Sequence, residues 1–143
     1  MIKLKSGRQT ILSASININF DDPTAYGAAE EAIEVPANAI LVGGDITVTT
    51  AWNSATTATF KLGDAADDDR YTLAAIDLKT LGRTALTLTG FKHTVVERLK
   101  ALFAQTGAAA TAGSARVRIE YVVEGRVTNT QGLDSRAAGV PGA

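Results

Sequence analysis

The sequence ARVRIEYVVE, residues 115–124, alternates apolar and charged side chains. The apolar side chains occupy every second position, at Val117, Ile119, Tyr121 and Val123. Charged residues fill most of the positions between them. Because successive side chains of a β-strand point to opposite faces of a sheet, this pattern predicts a strand with one buried face and one face in water.

The same period of two recurs upstream, most clearly in LSASININF at residues 12–20. In chain order, the strands predicted by alternation cover residues 2–5, 10–20, 32–35, 45–52, 57–62, 85–89 and 115–124. The segment WNSA, residues 52–55, is predicted to connect two of them as a hairpin. Seven or eight short strands separated by turn residues predict an all-β fold, a β-sandwich or a jelly roll.

Residues 95–104 leave two structures open. Val95, Val96, Leu99, Leu102 and Phe103 recur at helical spacing, and most of the residues between them favour helices. Their position between predicted strands favours a strand instead. A strand would place Val95, Leu99 and Phe103 on one face. The prediction is therefore a sandwich with either one short helix or one further strand in this segment.

Length and composition fit one domain. The chain has 143 residues, 45% hydrophobic and 20% charged, with a net charge of −1, which is typical of a globular domain without a strong field toward nucleic acid or membrane. Cysteine is absent. No apolar stretch resembles a signal sequence or a membrane span, so the expectation is a soluble protein made in the cytoplasm of its host cell.

The two ends lack core periodicity and are predicted to be arms. Residues 1–10 form an N-terminal arm, residues 11–127 the β-sandwich domain, and residues 128–143 a flexible tail. The arms and their borders carry basic side chains that could meet an acidic neighbour, although such residues are usually only solvated. These candidate interface residues are Lys3, Lys5, Arg8, Arg126 and Arg136.

The segment KLGDAADDDRY, residues 61–71, is the richest in acids. Asp64, Asp67, Asp68 and Asp69 could together hold a cation. Calcium loops, however, supply ligands from alternating positions and a downstream glutamate, and this segment does not. It is predicted to be a solvated loop after Gly63, with a cation site as the alternative.

No catalytic constellation is recognisable, and no cofactor is predicted. A Ser-His-Asp arrangement would have to use His93, and the chain has no nucleophile elbow. A single histidine also excludes a histidine-based zinc site within one chain. Gly43 and Gly44 are predicted to form a turn or bulge, and Trp52, in phase with apolar neighbours, is predicted to be buried. The chain is therefore predicted not to be an enzyme.

The order of several short motifs resembles a known family. VPANA, a Gly-Gly turn, TTAWN, LGD with its acidic loop, ALTLTG and GSARVRIEYVVEGR follow one another between residues 30 and 127. This order resembles structural proteins of tailed-bacteriophage virions, in particular capsid decoration (cement) proteins. The resemblance implies a β-sandwich that binds the outside of an assembled capsid and bridges neighbouring capsid subunits.

The implied partners are the major capsid protein and, in an oligomer or a lattice, other copies of the chain. Neither nucleic acid nor membrane is an expected partner. Two alternatives remain. The chain could be a low-copy neck, tail or head-fibre component, or it could be a carbohydrate-binding β-sandwich module, which its 6% aromatic content disfavours.

Overall fold

The protein folds into two antiparallel β-sheets in a computed structural model that describes residues 8–126. Nine strands and no helix lie within this range. Their bounds are β1 Leu12–Asn19, β2 Ala29–Val35, β3 Ala39–Thr50, β4 Thr57–Gly63, β5 Ile76–Asp77, β6 Gly82–Ala85, β7 Lys92–His93, β8 Glu97–Thr106 and β9 Ser114–Val123.

The strand order is that of a jelly roll. One sheet has the order β1-β9-β3-β6, with the short β7 also pairing β3, and the other has the order β2-β8-β4-β5. Consecutive strands such as β1 and β2, or β3 and β4, lie in opposite sheets, as two Greek keys wound together require. The prediction of an all-β sandwich or jelly roll is therefore confirmed.

The core lies between the two sheets and is built from the alternating positions. In β9, Val117 and Ile119 are fully buried while Arg116 is exposed. In β1, each apolar residue is half-buried and each polar one is exposed. The largest fully buried side chains are Trp52, Tyr71, Phe60, Ile46 and Leu62. Alternation in the sequence thus identified the core face of these strands.

The segment that left helix and strand open forms β8. It pairs with β2 on one side and with β4 on the other. Leu99, Ala101 and Phe103 point into the core, and the residues between them are half-buried or exposed. Hydrogen bonds to two neighbouring strands satisfy the backbone of this segment and override its local preference for a helix.

Two local predictions were wrong. WNSA is not a hairpin, because β3 and β4 belong to different sheets, and residues 51–56 cross between them. The Trp52 amide donates to Leu78 O, and Ser54 Oγ donates to Thr57 O, which fix this crossing. The strand predicted at residues 85–89 is displaced toward the N-terminus and forms β6, because the pairing with β3 ends at Ala85.

The Gly43–Gly44 pair forms a β-bulge in β3, as predicted. The register with β9 shifts between Leu41 and Gly43. A Cβ on Gly44 would lie 2.8 Å from Arg118 O, so the two strands could not approach this closely with a larger residue.

Residues 1–7 and 127–143 lie outside the described range. They include the strand predicted at residues 2–5 and three of the candidate interface residues, Lys3, Lys5 and Arg136. Among the described residues, no helix has the length and apolar character needed to cross a membrane.

Candidate interaction surfaces

A groove runs between β1 and β2, the neighbouring edge strands of the two sheets. Within the described residues, β1 pairs only with β9 and β2 only with β8, so each strand has one unpaired edge. The groove contains a cavity of about 400 Å³. The apolar part of its lining comes from Ile16, Ile18, Pro23, Ala28, Ala32, Ala101 and Phe103. We call this feature the β1–β2 groove.

The rim of the β1–β2 groove is acidic. Asp22, Glu30 and Glu31 line the cavity, and Glu34 lines smaller depressions farther along β2. Among the described residues, only Glu31 of these four acids forms an ion pair, with Arg98 at 3.2 Å. Asp22 and Glu30 accept hydrogen bonds from the amides of Asn19 at 2.6 Å and Ala25 at 3.1 Å, which leave their charge without a cation. The groove therefore combines an apolar floor, unpaired strand edges and negative charge.

The two ends of the described chain leave the sandwich side by side. The Gln9 side chain donates to Val123 O at 2.6 Å and to Arg126 O at 2.8 Å. It also accepts a hydrogen bond from the Val123 amide at 2.8 Å. Two of the candidate interface residues, Arg8 and Arg126, are consequently exposed at the same end of the molecule.

The acidic segment is a loop whose first aspartate is buried. Asp64 is 4% exposed, and its carboxylate accepts hydrogen bonds from Arg70 Nε at 2.5 Å and from the amides of Ala66 and Asp67. Burial alone would raise the pKa of Asp64, but these hydrogen bonds, first that of Arg70, outweigh it and lower the pKa. The ionised Asp64 side chain thus holds residues 64–70 together as a loop.

The other three aspartates of the loop are grouped at the surface. Asp67, Asp68 and Asp69 each place one carboxylate oxygen within 4.8 Å of the others at the surface. The hydrogen bond and charge of Asp67 raise the pKa of Asp69. Because Arg70 and the loop amides occupy Asp64, the four aspartates do not converge on one centre. A cation held by the remaining three stays a prediction.

A buried Tyr-His pair holds this loop against β7. The Tyr71 hydroxyl lies 2.6 Å from His93 Nε2, and both side chains are at most 3% exposed. Burial raises the pKa of Tyr71 to about 12, so the hydroxyl keeps its proton and can donate it to the ring. Burial also lowers the pKa of His93, although the charge of Asp64 opposes this effect. The pair is enclosed and offers no access to a substrate.

Three exposed apolar side chains lie on the segments next to this loop. The Thr87 amide donates to Tyr71 O at 2.9 Å, which brings residues 71–73 beside residues 86–91. The Arg70 guanidinium lies 3.6 Å from the centre of the Phe91 ring. Leu73 is 86% exposed, and Leu88 and Phe91 are 37% and 38% exposed. We call these three residues the apolar loop surface.

Sequence reasoning identified neither surface. The sequence pointed to basic residues near the two ends and to acids in one loop. The groove is instead formed by β1 and β2, whose nearest ends are 10 residues apart in the chain, and by Phe103 of β8. The one available signal was EEAIE at residues 30–34, a strand that places Glu31 and Glu34 in the exposed positions. Trp52 is buried, as predicted, and stacks on Phe103.

Comparisons with known proteins identify the fold. No family model matches the chain, and no curated protein matches it. Among solved structures, a chain of the cyanophage Pam1 capsid asymmetric unit is similar with a TM-score of 0.63 and 22% identity, over 85% of this chain and 94% of that one. A chain of the capsid of Ralstonia phage GP4 has a TM-score of 0.61 and 18% identity, over 88% and 92%.

A third similar chain belongs to the acid-stable capsid of Helicobacter pylori bacteriophage KHP30. Its TM-score is 0.59 with 14% identity, over 79% of this chain and 87% of that one. At these identities the likeness shows a shared fold. This protein has the β-sandwich fold of chains found in three phage capsid structures.

Proposed function

We propose that this protein is a non-enzymatic structural component of a phage virion that decorates the outer surface of the assembled capsid. It would bind the major capsid protein and stabilise the shell by bridging neighbouring subunits. The observation that carries the proposal is the likeness to the Pam1 capsid chain, which extends over 94% of that chain. The motif order between residues 30 and 127 supports it independently.

The architecture suits a bridging role. A protein that ties two neighbours together needs a body that does not deform and at least two contact regions. Two sheets packed around one core supply the body. The apolar loop surface supplies one contact region, since Leu73 is 86% exposed immediately after the buried Tyr71 and Thr72. An apolar side chain on such a rigid base can dock with little loss of conformational entropy.

The exposed arginines at the two ends of the described range supply a second contact region. Arg8 and Arg126 flank the Gln9 bridge and lie at the same end of the body. Segments outside the described range could lie across a neighbouring subunit from that end. Strand addition at a free edge would give such a contact main-chain hydrogen bonds as well as buried area.

The polar cluster of Asp64, Arg70, Tyr71 and His93 offers little for catalysis. Tyr71 and His93 face each other inside the protein, and Asp64 is paired with Arg70. A general base must reach a substrate proton directly or through one water, and this enclosed pair does not. The carbohydrate-binding alternative also loses support, because Trp52, the only tryptophan, is buried and cannot stack on a sugar.

The deciding experiment is the copy number of this chain relative to the major capsid protein in purified particles, by quantitative mass spectrometry. Decoration predicts a ratio near one or a simple fraction of it. A few copies per hundred capsid subunits would place the protein at a neck, tail or head fibre. Absence from particles would reject a virion role altogether.

A further inference from the structure

We propose that the β1–β2 groove receives residues 1–7 of a second copy of this chain, added as a strand along the free edges of β1 and β2. The inference concerns contacts between copies of the protein. It does not depend on attachment to a capsid, and it can be tested with the purified protein alone.

The groove has the backbone chemistry that an added strand needs. Within residues 8–126, β1 makes its ladder of hydrogen bonds with β9 alone, from Leu12 opposite Tyr121 to Asn19 opposite Ser114. β2 pairs with β8 alone within the described residues. Every second N–H and C=O of each strand therefore faces the groove or solvent. An unpaired edge of this length is a template for another strand.

The first residues of the chain have the matching side-chain pattern. Residues 2–5 read Ile-Lys-Leu-Lys, which alternates apolar and basic side chains with the period of a strand. As a strand in the groove, this segment would place Ile2 and Leu4 on the apolar floor near Phe103. Lys3 and Lys5 would then face the rim that Asp22, Glu30 and Glu31 line. Opposite charges at that rim favour this pairing over a neutral strand.

The distance along the chain between residues 2–5 and Gln9 decides which copy supplies them. Gln9 is fixed to Val123 at the end of β1 that is far from the cavity, and the cavity begins at Ile16. If the same chain returned along β1, a turn of about four residues ending at Gln9 would place residues 2–5 opposite residues 10–13, short of Ile16. Residues 2–5 of a second copy have no such limit.

The first test measures the mass of the full-length protein by light scattering and sedimentation over a range of concentrations. The intact chain should self-associate, and deletion of residues 1–7 should weaken association at least tenfold because it removes the strand that occupies the groove. The deletion keeps Gln9 and the folded body, so unfolding does not explain the loss. A monomer at all concentrations, or association unchanged by the deletion, would overturn the proposal.

Charge reversal tests where the segment binds. Glu30→Lys with Glu31→Lys should weaken association to the same degree, and Lys3→Glu with Lys5→Glu in the same chain should restore it. The matched control is Asp68→Lys with Asp69→Lys, which changes the net charge equally at a distant loop and should leave association unchanged. Equal effects of the groove and control variants would mean that net charge, and not this groove, governs association.

Cysteine pairs identify the donor, because the natural chain has no cysteine. Asn17 is exposed and lines the cavity. A mixture of the Lys3→Cys and Asn17→Cys variants should form a disulfide between two chains under mild oxidation, whereas Lys3→Cys mixed with Asp68→Cys should not. A disulfide within one chain carrying both Lys3→Cys and Asn17→Cys, without cross-linking in the mixture, would show that the segment folds back on its own body.

Discussion

The carboxamide of Gln9 pairs with the backbone of Val123 as another strand residue would. Its nitrogen donates to Val123 O at 2.6 Å and its oxygen accepts from Val123 N at 2.8 Å. This side-chain pairing lies two residues beyond Tyr121, where the β1–β9 ladder ends opposite Leu12. Gln9, which the sequence analysis placed in the N-terminal arm, thus makes hydrogen bonds to the last residue of β9.

Replacing this side chain should destabilise the body without unfolding it. Gln9→Ala removes two hydrogen bonds to Val123 and one to Arg126, and we expect a loss of about 1–2 kcal/mol of unfolding free energy. Urea denaturation measures it. Deletion of residues 1–7, which keeps Gln9, is the control and should leave the free energy of unfolding of the monomer unchanged. If that deletion lowered the free energy of unfolding more than Gln9→Ala does, the stabilising role given to Gln9 would be wrong.

The buried and exposed aspartates of the acidic loop should differ sharply. Asp64→Ala leaves Arg70 and two loop amides without their acceptor, and we expect a loss of about 3 kcal/mol. Asp68→Ala, four positions away at the surface, should leave the melting temperature unchanged. Thermal denaturation of the two variants side by side checks this. Similar melting temperatures for both would mean that the Asp64–Arg70 pair contributes little.

Stability should fall as the pH drops below about 6.5. Burial lowers the pKa of His93, so the folded protein binds its proton less readily than the unfolded chain, whose histidine pKa is about 6.5. Because the unfolded state then takes up more protons, the free energy of unfolding decreases as the pH falls below that value and is fully regained above it. Urea midpoints measured at pH 5.5 and 7.5 test this expectation.

The His93→Gln variant is the control for this pH dependence. Its amide keeps a hydrogen-bonding group near Tyr71 but does not titrate. We expect a lower midpoint at pH 7.5 and a smaller difference between the two pH values than in the natural protein. If both proteins show the same dependence, another group is responsible. The charged and titratable groups that act on His93 are Asp64, Glu97, Arg70 and the hydrogen-bond partner of the ring, Tyr71. The pKa of Tyr71 is raised to about 12 and that of Arg70 is raised as well, so neither titrates between pH 5.5 and 7.5.

Trp52 should report folding by its fluorescence. It is the only tryptophan and is 1% exposed, so its emission should be blue-shifted in the folded protein and shift to the red on unfolding. Its indole N–H donates to Tyr26 Oη at 2.9 Å. Tyr26→Phe leaves this buried donor unpaired and should cost about 1–2 kcal/mol while the folded spectrum stays blue-shifted. A red-shifted folded spectrum would contradict burial.

The apolar loop surface makes a prediction about capsid binding. Leu73→Asp should weaken binding to particles that lack the protein at least tenfold, because it places a charge in a contact proposed to be apolar. The melting temperature should be unchanged, since Leu73 is 86% exposed. Leu81→Asp changes another exposed leucine outside that surface and serves as the matched control. Equal binding by both variants and the natural protein would remove this loop from the interface.

Alternation predicted the strands well where each strand has one face in the core. The strands predicted at residues 10–20 and 115–124 appear as β1 and β9, with Ile16 and Val117 facing inward. It failed at residues 85–89, because the pairing with β3 ends where Ala85 lies opposite Asp45, next to the Gly43–Gly44 bulge, and β7 pairs with β3 beyond that bulge. The alternation within one segment does not show which distant segment it pairs with or where that pairing ends.

The candidate surfaces were less predictable for a similar reason. The acidic loop was recognised as a loop, but the burial of Asp64 depends on Arg70 and on the position of β7. From the sequence, Glu30 and Glu31 are ordinary solvent-exposed polar residues. Their place beside Ile16 and Ile18 follows only when the sheets pack together.

The sequence by itself determined that this protein is an all-β domain with known core faces, because side-chain direction in a strand repeats every two residues and is a local property. Only the tertiary structure decided that residues 97–106 are a strand and that the chain changes sheets at Trp52. It alone showed that, among residues 8–126, β1 and β2 each keep one unpaired edge beside a groove. These features depend on hydrogen bonds and packing between residues far apart in the chain, and local preference does not contain them.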